Sequence, residues 1–248
     1  MTGQRSARWL RVPEGPAAGR RVLVCLPHAG GTAGFFRGLG ASLAASHQVV
    51  AVQYPGRQDR HRERQIGDIE SAADAIAAEI RAIDPGTVEL LGHSMGALIG
   101  FELARALEAD GTTTVTRLTV TNARPPSIAA GRPHLYELAD GPFLDRIGAL
   151  GGTDRGLMDD REARAMYLPA LRGDFRAVER YRAPRSATVG CGVSVVAGLR
   201  DPLVPAASAN GWRAHTRGTF RLHLLDTDHF GVHAGPDRLH AHLEASPR

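Results

Sequence analysis

The 248-residue sequence contains no lysine, and its 30 basic side chains are all arginines. They are scattered among 26 acidic residues, which leaves a formal net charge of +4. No arginine-rich tract is interleaved with aromatic residues, and aromatics make up only 5% of the chain. This distribution argues against a nucleic-acid interface. A modest positive field would still suit an acidic partner or a phosphate-bearing substrate arm.

Cysteine is also scarce, with only Cys25 and Cys191 in the sequence. Two cysteines do not form a disulfide framework, and neither has a histidine or cysteine nearby at metal-ligand spacing. Both lie in apolar runs typical of strands, which predicts buried structural thiols. We therefore expect no metal and no cofactor.

Long apolar runs are absent as well, since none reaches the roughly 20 residues that a membrane-spanning helix needs. The stretch 1–12 lacks the apolar block of a signal peptide. These features predict a cytoplasmic protein that does not contact a membrane. A hydrophobic content of 43% is sufficient for one sizeable core. The chain length of 248 residues is short for two full domains.

Apolar runs of strand length alternate with helical patterns along most of the chain. The segment 68–83 has helical periodicity, and Asp68 is its expected N-cap. One face of this predicted helix is apolar and consists of Ile69, Ala72, Ala73, Ile76, Ala77 and Ile80. Repeated strand–helix–strand units predict a mostly parallel central sheet flanked by helices, an α/β fold. The strand-like runs are Arg21–Leu26, Gln48–Gln53, Val88–Leu91, Arg117–Asn122, Cys191–Ala197 and Thr219–Leu225.

The segment 127–186 departs from this alternation, because strand-like runs stop and two helical patterns appear. They cover Pro142–Leu150 and Asp159–Tyr181, and we expect Pro169 to kink or split the second. We interpret 127–186 as a helical lid inserted into a core formed by 1–126 and 187–248. Its predicted inner face comprises Leu144, Ile147, Leu150, Leu157, Met158, Tyr167, Leu168, Leu171 and Phe175.

The stretch Val88–Ala97 carries the pattern Gly-x-Ser-x-Gly between a buried strand and a helix. A sharp turn at this point lifts the hydroxyl of Ser94 above the sheet, where a base can reach it. Glycines at 92 and 96 avoid collisions in a strained backbone. The alternative is a plain strand–turn–helix, but the flanking patterns favour a nucleophile elbow. The N–H of Met95 would then face developing negative charge at a helix N-terminus.

A second donor to that charge is expected in the loop that follows the first long strand, Pro27–Thr32. Small residues after a strand allow close backbone approach, and we assign the donor to the N–H of Ala29. The alternative is an ordinary glycine turn leading into a helix over 35–45.

A serine nucleophile needs a histidine base and a carboxylate that orients it. Asp201 follows one late strand and His229 follows the last, so both should emerge at the same sheet edge as Ser94. His28 and His93 lie close to the expected site and are more suited to shaping it. His233 lies one turn beyond His229. The remaining candidates stand where surface residues are common: His215, His223 and His240.

Asp226 and Asp228 are too close in sequence to His229 to orient its ring easily. An arginine-rich loop after the second long strand contains Arg57, Arg60, Arg62 and Arg64. These side chains could bind a phosphate, although a solvated loop is the favoured interpretation.

Six short motifs spread over nearly the whole chain resemble the type II thioesterases that accompany polyketide synthases and nonribosomal peptide synthetases. The Gly-x-Ser-x-Gly pattern alone would indicate only a hydrolase class, whereas the set together is far more specific. The motifs are Leu26–Gly31, Tyr54–Arg57, Gly92–Ala97, Leu171–Phe175, Gly198–Asp201 and Asp228–Phe230.

The resemblance implies an α/β-hydrolase fold with a mobile lid, Ser94, Asp201 and His229 as catalytic triad, and Ala29 and Met95 as oxyanion donors. It implies hydrolysis of acyl groups from the phosphopantetheine arm of acyl or peptidyl carrier proteins, which removes stalled or aberrant units. A monomer is the simplest expectation. Two alternatives stay open: a general carboxylesterase or lipase-like hydrolase, and a carrier-protein binding module without turnover.

Overall fold

A computed structural model describes residues 9–11, 19–131, 134–151 and 160–244. In these residues, a seven-stranded sheet has the strand order β1-β3-β2-β4-β5-β6-β7. Only the short β1 runs antiparallel to its neighbour β3, and the other pairs are parallel. The strands are β1 (Leu10–Arg11), β2 (Arg21–Leu26), β3 (His47–Val52), β4 (Thr87–His93), β5 (Thr114–Thr121), β6 (Gly192–Gly198) and β7 (Phe220–Leu225).

Helices cover both faces of the sheet, so the inner strands are largely buried on both faces. The α-helices are α1 (Arg37–Ser42), α2 (Ile69–Ile83), α3 (Met95–Asp110), α4 (Asp140–Gly148), α5 (Arg161–Arg180) and α6 (Pro236–Glu244). Shorter 3-10 helices are Ala33–Phe36, Gln58–Arg60, Leu135–Glu137, Ala206–His215 and Gly231–His233. Apolar residues of α2 and α3 pack on one face, and those of α1 and α6 pack on the other.

The predicted periodicity of 68–83 is confirmed in α2. Its buried residues are those of the predicted stripe: Ile69, Ala72, Ala73, Ile76, Ala77 and Ile80. The carboxylate of Asp68 accepts a hydrogen bond of 2.7 Å from the N–H of Ser71, so it caps the helix as expected. Such a cap contributes about 1 kcal/mol.

The strand registers place the functional loops at one edge of the sheet. Leu26 lies opposite Gly92, His93 lies opposite Thr121, and Gly198 lies opposite Leu225. The carboxyl ends of β2, β4, β5, β6 and β7 therefore meet, and the loops that follow them share one surface.

The helices α4 and α5 pack together over that edge. Their buried side chains are Phe143, Ile147, Leu150, Leu171 and Phe175, with Leu144, Tyr167 and Leu168 partly covered beside them. Phe143 was not in the predicted inner face, although it is fully buried. The predicted Leu157 and Met158 lie outside the described residues, as does the connection 152–159. The division into a core and a lid at 127–186 stays a prediction.

Pro169 does not split the second helical pattern, because α5 runs unbroken from Arg161 to Arg180. A proline inside a helix costs about 3 kcal/mol. Burial of Ala170, Leu171 and Phe175, in the two turns after the proline, offsets that cost through tertiary packing.

Both thiols are buried, as predicted. Burial raises the pKa of Cys191 to about 12 and raises the pKa of Cys25 still further. Across the described residues, we find no helix with the length and apolar character needed to cross a membrane.

Candidate active site

Ser94 connects β4 to α3 in a backbone conformation that side chains rarely adopt, with φ +54° and ψ −114°. Its N–H donates a hydrogen bond of 2.9 Å to the carbonyl of Thr121, which fixes the turn to the neighbouring strand. A Cβ at Gly96 would overlap the carbonyl oxygen of Leu26, and one at Gly92 would overlap that of Gly96. Glycine at both positions therefore allows the sharp turn that presents the Ser94 side chain.

His229 and Asp201 form a buried pair at the ends of β7 and β6. The distance between His229 Nδ1 and Asp201 Oδ2 is 2.7 Å. The other oxygen, Oδ1, accepts hydrogen bonds from the N–H groups of Leu203 at 2.8 Å and Val204 at 3.1 Å. The carboxylate is thus held from two sides, and it sets the orientation of the imidazole ring.

Asn122, at the end of β5, connects the two loops that carry this pair. Its side-chain amide donates to the carbonyl of His229 at 2.6 Å, and its side-chain oxygen accepts from the N–H of Gly198 at 2.7 Å. Its backbone is left-handed, with φ +47°. Asn122 was not among the predicted site residues. The sequence feature that could have identified it is an asparagine directly after a parallel strand, because asparagine is enriched in left-handed backbone conformations.

One narrow cavity brings Ser94 and His229 together beneath the helices α4 and α5. Its polar lining consists of these two side chains and His28, and Ala29 lies beside them. The remaining lining is apolar, from Ile147, Leu150, Phe175, Leu203 and Phe230. The arrangement places a hydroxyl and an oriented imidazole on the wall of one cavity with little room for bulk water.

The two residues predicted to donate to the oxyanion lie close to Ser94 in the fold. Met95 is the first residue of α3, so its N–H has no partner within the helix and lies at the positive end of the helix dipole. Ala29 belongs to the loop 27–31 after β2 and lines the cavity. Met95 follows Ser94 in the chain and Ala29 lines the cavity with it, at the ends of two adjacent strands. The role of these two residues as oxyanion donors stays a prediction.

Three further imidazoles lie near His229, and the ring of one of them, His93, contacts it with the centroids 5.0 Å apart. Burial lowers the pKa of His28 and of His233 to about 3, helped by repulsion from His229, and it lowers the pKa of His93 far below its usual value. His93 Nδ1 lies 3.0 Å from Thr121 Oγ1, which also lies 3.0 Å from His233 Nε2. These rings are therefore neutral at pH 7.

His215 is buried, which corrects the expectation that it lies at the surface. It is 1% exposed, with Nδ1 2.7 Å from the carbonyl of Ala187 and Nε2 2.8 Å from Ser127 Oγ. Two polar partners explain how this histidine can be buried. The His229 ring is oriented by Asp201 and not by Asp228. The carboxylate of Asp228 instead accepts hydrogen bonds from the N–H groups of Phe230 and Gly231.

The arginine-rich loop is not uniformly solvated, contrary to expectation. Arg62 and Arg64 are exposed, whereas Arg57 and Arg60 are 3% and 5% exposed. Arg57 forms a two-pronged ion pair with Asp174 of α5, at 2.6 and 2.8 Å. A buried guanidinium is tolerated here because a carboxylate and carbonyl oxygens occupy its donors.

In the described residues, no cluster of three histidine, cysteine or acidic side chains could hold a metal ion. A serine at a strained strand–helix turn, with a histidine–aspartate pair beyond two later strands of a parallel sheet, defines the α/β-hydrolase class. A family model described as "Thioesterase domain" matches residues 21–246, and the chain belongs to this family of enzymes.

The chain is similar to proteins of natural-product biosynthesis. It is 40% identical over 225 residues to "Probable cadicidin biosynthesis thioesterase" of Streptomyces griseus, covering 91% of this chain and 62% of that protein's length. It is 40% identical over 230 residues to "Thioesterase PikA5" of Streptomyces venezuelae, covering 91% and 80%. The solved structure of the type II thioesterase BorB from the borrelidin biosynthetic cluster superposes with a TM-score of 0.78 at 34% identity, covering 96% and 92%.

Proposed function

We propose that this chain hydrolyses acyl thioesters carried on the phosphopantetheine arm of acyl or peptidyl carrier proteins. In a polyketide or nonribosomal peptide system, this reaction would remove stalled or aberrant units and restore the free thiol. The main support is the placement of Ser94, on its strained turn, in one cavity with an imidazole that Asp201 orients. The names of the relatives support a thioester substrate in natural-product biosynthesis.

In the proposed mechanism, His229 takes the proton of the Ser94 hydroxyl as the oxygen attacks the thioester carbonyl carbon. The tetrahedral intermediate places its negative oxygen between the N–H groups of Met95 and Ala29. Collapse breaks the carbon–sulfur bond, and the imidazolium returns its proton to the departing thiolate. Water, deprotonated by His229, then attacks the acyl carbon, and the imidazolium returns that proton to the departing Ser94 oxygen as the acid is released. Asp201 stays ionised and stabilises the imidazolium.

The apolar lining of the cavity supports an acyl substrate. Ile147, Leu150 and Phe175 come from the helices above the site, and they would contact the acyl chain once it is bound to Ser94. Because the cavity is narrow, we expect short acyl chains to be released faster than long ones. Longer chains would require α4 and α5 to move, as in enzymes with lids.

The test is a hydrolysis panel of carrier-bound acyl thioesters of graded chain length. We expect turnover by the wild type and a loss of about 10⁴-fold or more in kcat for Ser94→Ala, with a comparable loss for Asp201→Asn. Arg62→Gln, on an exposed side chain outside the cavity, serves as the matched control and should retain activity. Undiminished hydrolysis by Ser94→Ala would refute the mechanism.

A second comparison separates the alternatives. If oxygen esters of the same acyl group react faster than the carrier-bound thioesters, the chain is a general esterase. If Ser94 is not labelled by a fluorophosphonate and no acyl group is released, the chain is a binding module, because labelling requires an activated hydroxyl. Size-exclusion chromatography with light scattering tests the expected monomer.

A further inference from the structure

The loop 27–31, which follows β2 and contains Ala29, is held in place by side chains that lie outside it. The Tyr54 hydroxyl donates to the carbonyl of Pro27 at 3.1 Å. Arg57 Nη1 donates to the carbonyl of Gly31 at 3.3 Å. Between these two points, both polar groups of Gly30 bind side chains of α5, the long helix that covers the site.

These two contacts hold the backbone immediately after Ala29. The N–H of Gly30 donates to Asp174 Oδ2 at 2.7 Å, and the Tyr167 hydroxyl donates to the carbonyl of Gly30 at 2.9 Å. Gly30 has φ +77°, and a Cβ there would overlap the Tyr167 hydroxyl and lie 2.7 Å from Leu171 Cδ1. The helix therefore packs directly on this backbone, with no space for a side chain between them.

Asp174 also completes a buried, fully paired charge network. Its side chain is completely inaccessible, it accepts both prongs of Arg57, and it adds the N–H of Gly30 as a third donor. A buried carboxylate with three charge-assisted or backbone donors has a single low-energy position. The Gly30 N–H, which is hydrogen-bonded to this carboxylate, is therefore held in place as well.

We propose that Asp174 and Tyr167 are positioning residues for the oxyanion site, acting through Gly30 on the N–H of Ala29. This inference rests on the proposed function, in which Ala29 supplies one oxyanion donor. It adds that the donor is aligned only while α5 is docked on the loop 27–31. Closure of α5 over a substrate and alignment of the oxyanion donor are then one event.

The test uses Tyr167→Phe, which removes the hydrogen bond to the Gly30 carbonyl and changes neither member of the Arg57–Asp174 ion pair, and Asp174→Asn, which weakens that pair as well. Loss of an oxyanion donor costs about 10²- to 10³-fold in kcat, and a misaligned donor retains part of its effect. We expect kcat to fall about 10-fold for Tyr167→Phe and about 100-fold for Asp174→Asn, with KM changed less than about 3-fold. Asp140→Asn is the matched control, because it breaks an ion pair with Arg172 of α5 that does not touch the loop.

A transition-state analogue separates alignment from simple loss of structure. An acyl trifluoromethyl ketone adds the Ser94 hydroxyl and places its negative oxygen at the oxyanion donors. Its inhibition constant should rise in parallel with the fall in kcat/KM for both variants, and should stay near the wild-type value for Asp140→Asn. Thermal unfolding identifies variants that do not fold. If Asp174→Asn does not fold, Tyr167→Phe decides the question alone.

Wild-type kcat and wild-type inhibition in folded Tyr167→Phe would overturn the inference. That result differs from failure of the proposed function, which would appear as an inert wild type or as activity that survives Ser94→Ala. With Ser94 shown to be essential, the positioning of Ala29 is tested independently of the identity of the nucleophile.

Discussion

Acid should destabilise this protein at a pH where most of its carboxylates remain ionised, because of the imidazoles buried around His229. Burial is the main reason that the pKa values of His28 and His233 fall to about 3, with repulsion from His229 and, for His28, from His233 and Arg57 as smaller causes. His93 lies between them and has a pKa lowered for the same main reason. All three rings are neutral in the folded protein above these values.

The direction follows from proton binding. An unfolded histidine has a pKa of about 6.5, so below this pH the unfolded chain binds protons that the folded chain excludes. The free energy of unfolding therefore is highest above about pH 6.5 and decreases as the pH falls toward 3. Each such group contributes a slope of about 1.4 kcal/mol per pH unit.

A histidine with a pKa near 3 in the folded protein lowers the free energy of unfolding at pH 5 by about 2 kcal/mol relative to neutral pH. His28 and His233 keep partial solvent contact, so we expect these two residues together to lower the free energy of unfolding by about 2 to 4 kcal/mol at pH 5. His93 increases this loss. A domain of this kind has a total stability of about 5–15 kcal/mol, so the effect is large. Glu89, whose pKa is about 2, remains ionised throughout this range.

Urea unfolding at pH 7.5, 6.5, 5.5 and 5.0 measures this loss directly. The variant His233→Gln removes one titrating ring and can retain a contact with Thr121, so its loss between pH 7.5 and 5.0 should be about 1–2 kcal/mol smaller. His61→Gln, on an exposed loop, is the matched control and should follow the wild type. A free energy of unfolding that is the same at pH 7.5 and 5.0 would refute the reasoning, as would an unchanged loss in His233→Gln.

Three further predictions concern the backbone. Gly96→Ala should lower the free energy of unfolding by about 3 kcal/mol or more in urea titrations, because the added methyl group would overlap the backbone of Leu26. Gly38→Ala is the control: this glycine lies in α1 with open space around it, so alanine should raise the free energy of unfolding by about 0.5–1 kcal/mol. The same change in both variants would contradict the packing argument. Ser94→Gly should abolish turnover yet stabilise the fold by about 1 kcal/mol in thermal unfolding, since glycine relieves the strain at φ +54°; a lower melting temperature would count against strain. Asp68→Ala should cost about 1 kcal/mol through loss of the cap and Asp68→Asn almost nothing, a difference that circular dichroism in urea resolves.

Features that depend on local sequence were predictable. The turn at Ser94 needs glycine on both sides because of contacts within a few residues and with the adjacent strand, and the residue pattern shows it. The stripe of α2 and its cap at Asp68 follow from helical periodicity alone. The chain order of Ser94, Asp201 and His229 relative to the strands was sufficient to predict that they emerge at one sheet edge, where the structure brings them to one site.

Features that depend on distant partners were not predictable. Arg57 and Asp174 are separated by 117 positions, and the sequence around each residue gives no indication of its partner. An arginine in a polar loop is expected in water because burying a charge is costly, and only the carboxylate brought by α5 reverses that balance. The burial of His215 and the bridging role of Asn122 have the same origin.

Local chemistry in the sequence thus determined which residues could react and which segments form the sheet and its helices. Only the tertiary structure decided how those residues are held, through the docking of α5 on Gly30, the three polar contacts of Asn122, and the burial that keeps the surrounding imidazoles neutral. The physical reason is that desolvation and hydrogen-bond geometry depend on neighbours in space, which the order of residues along the chain does not specify.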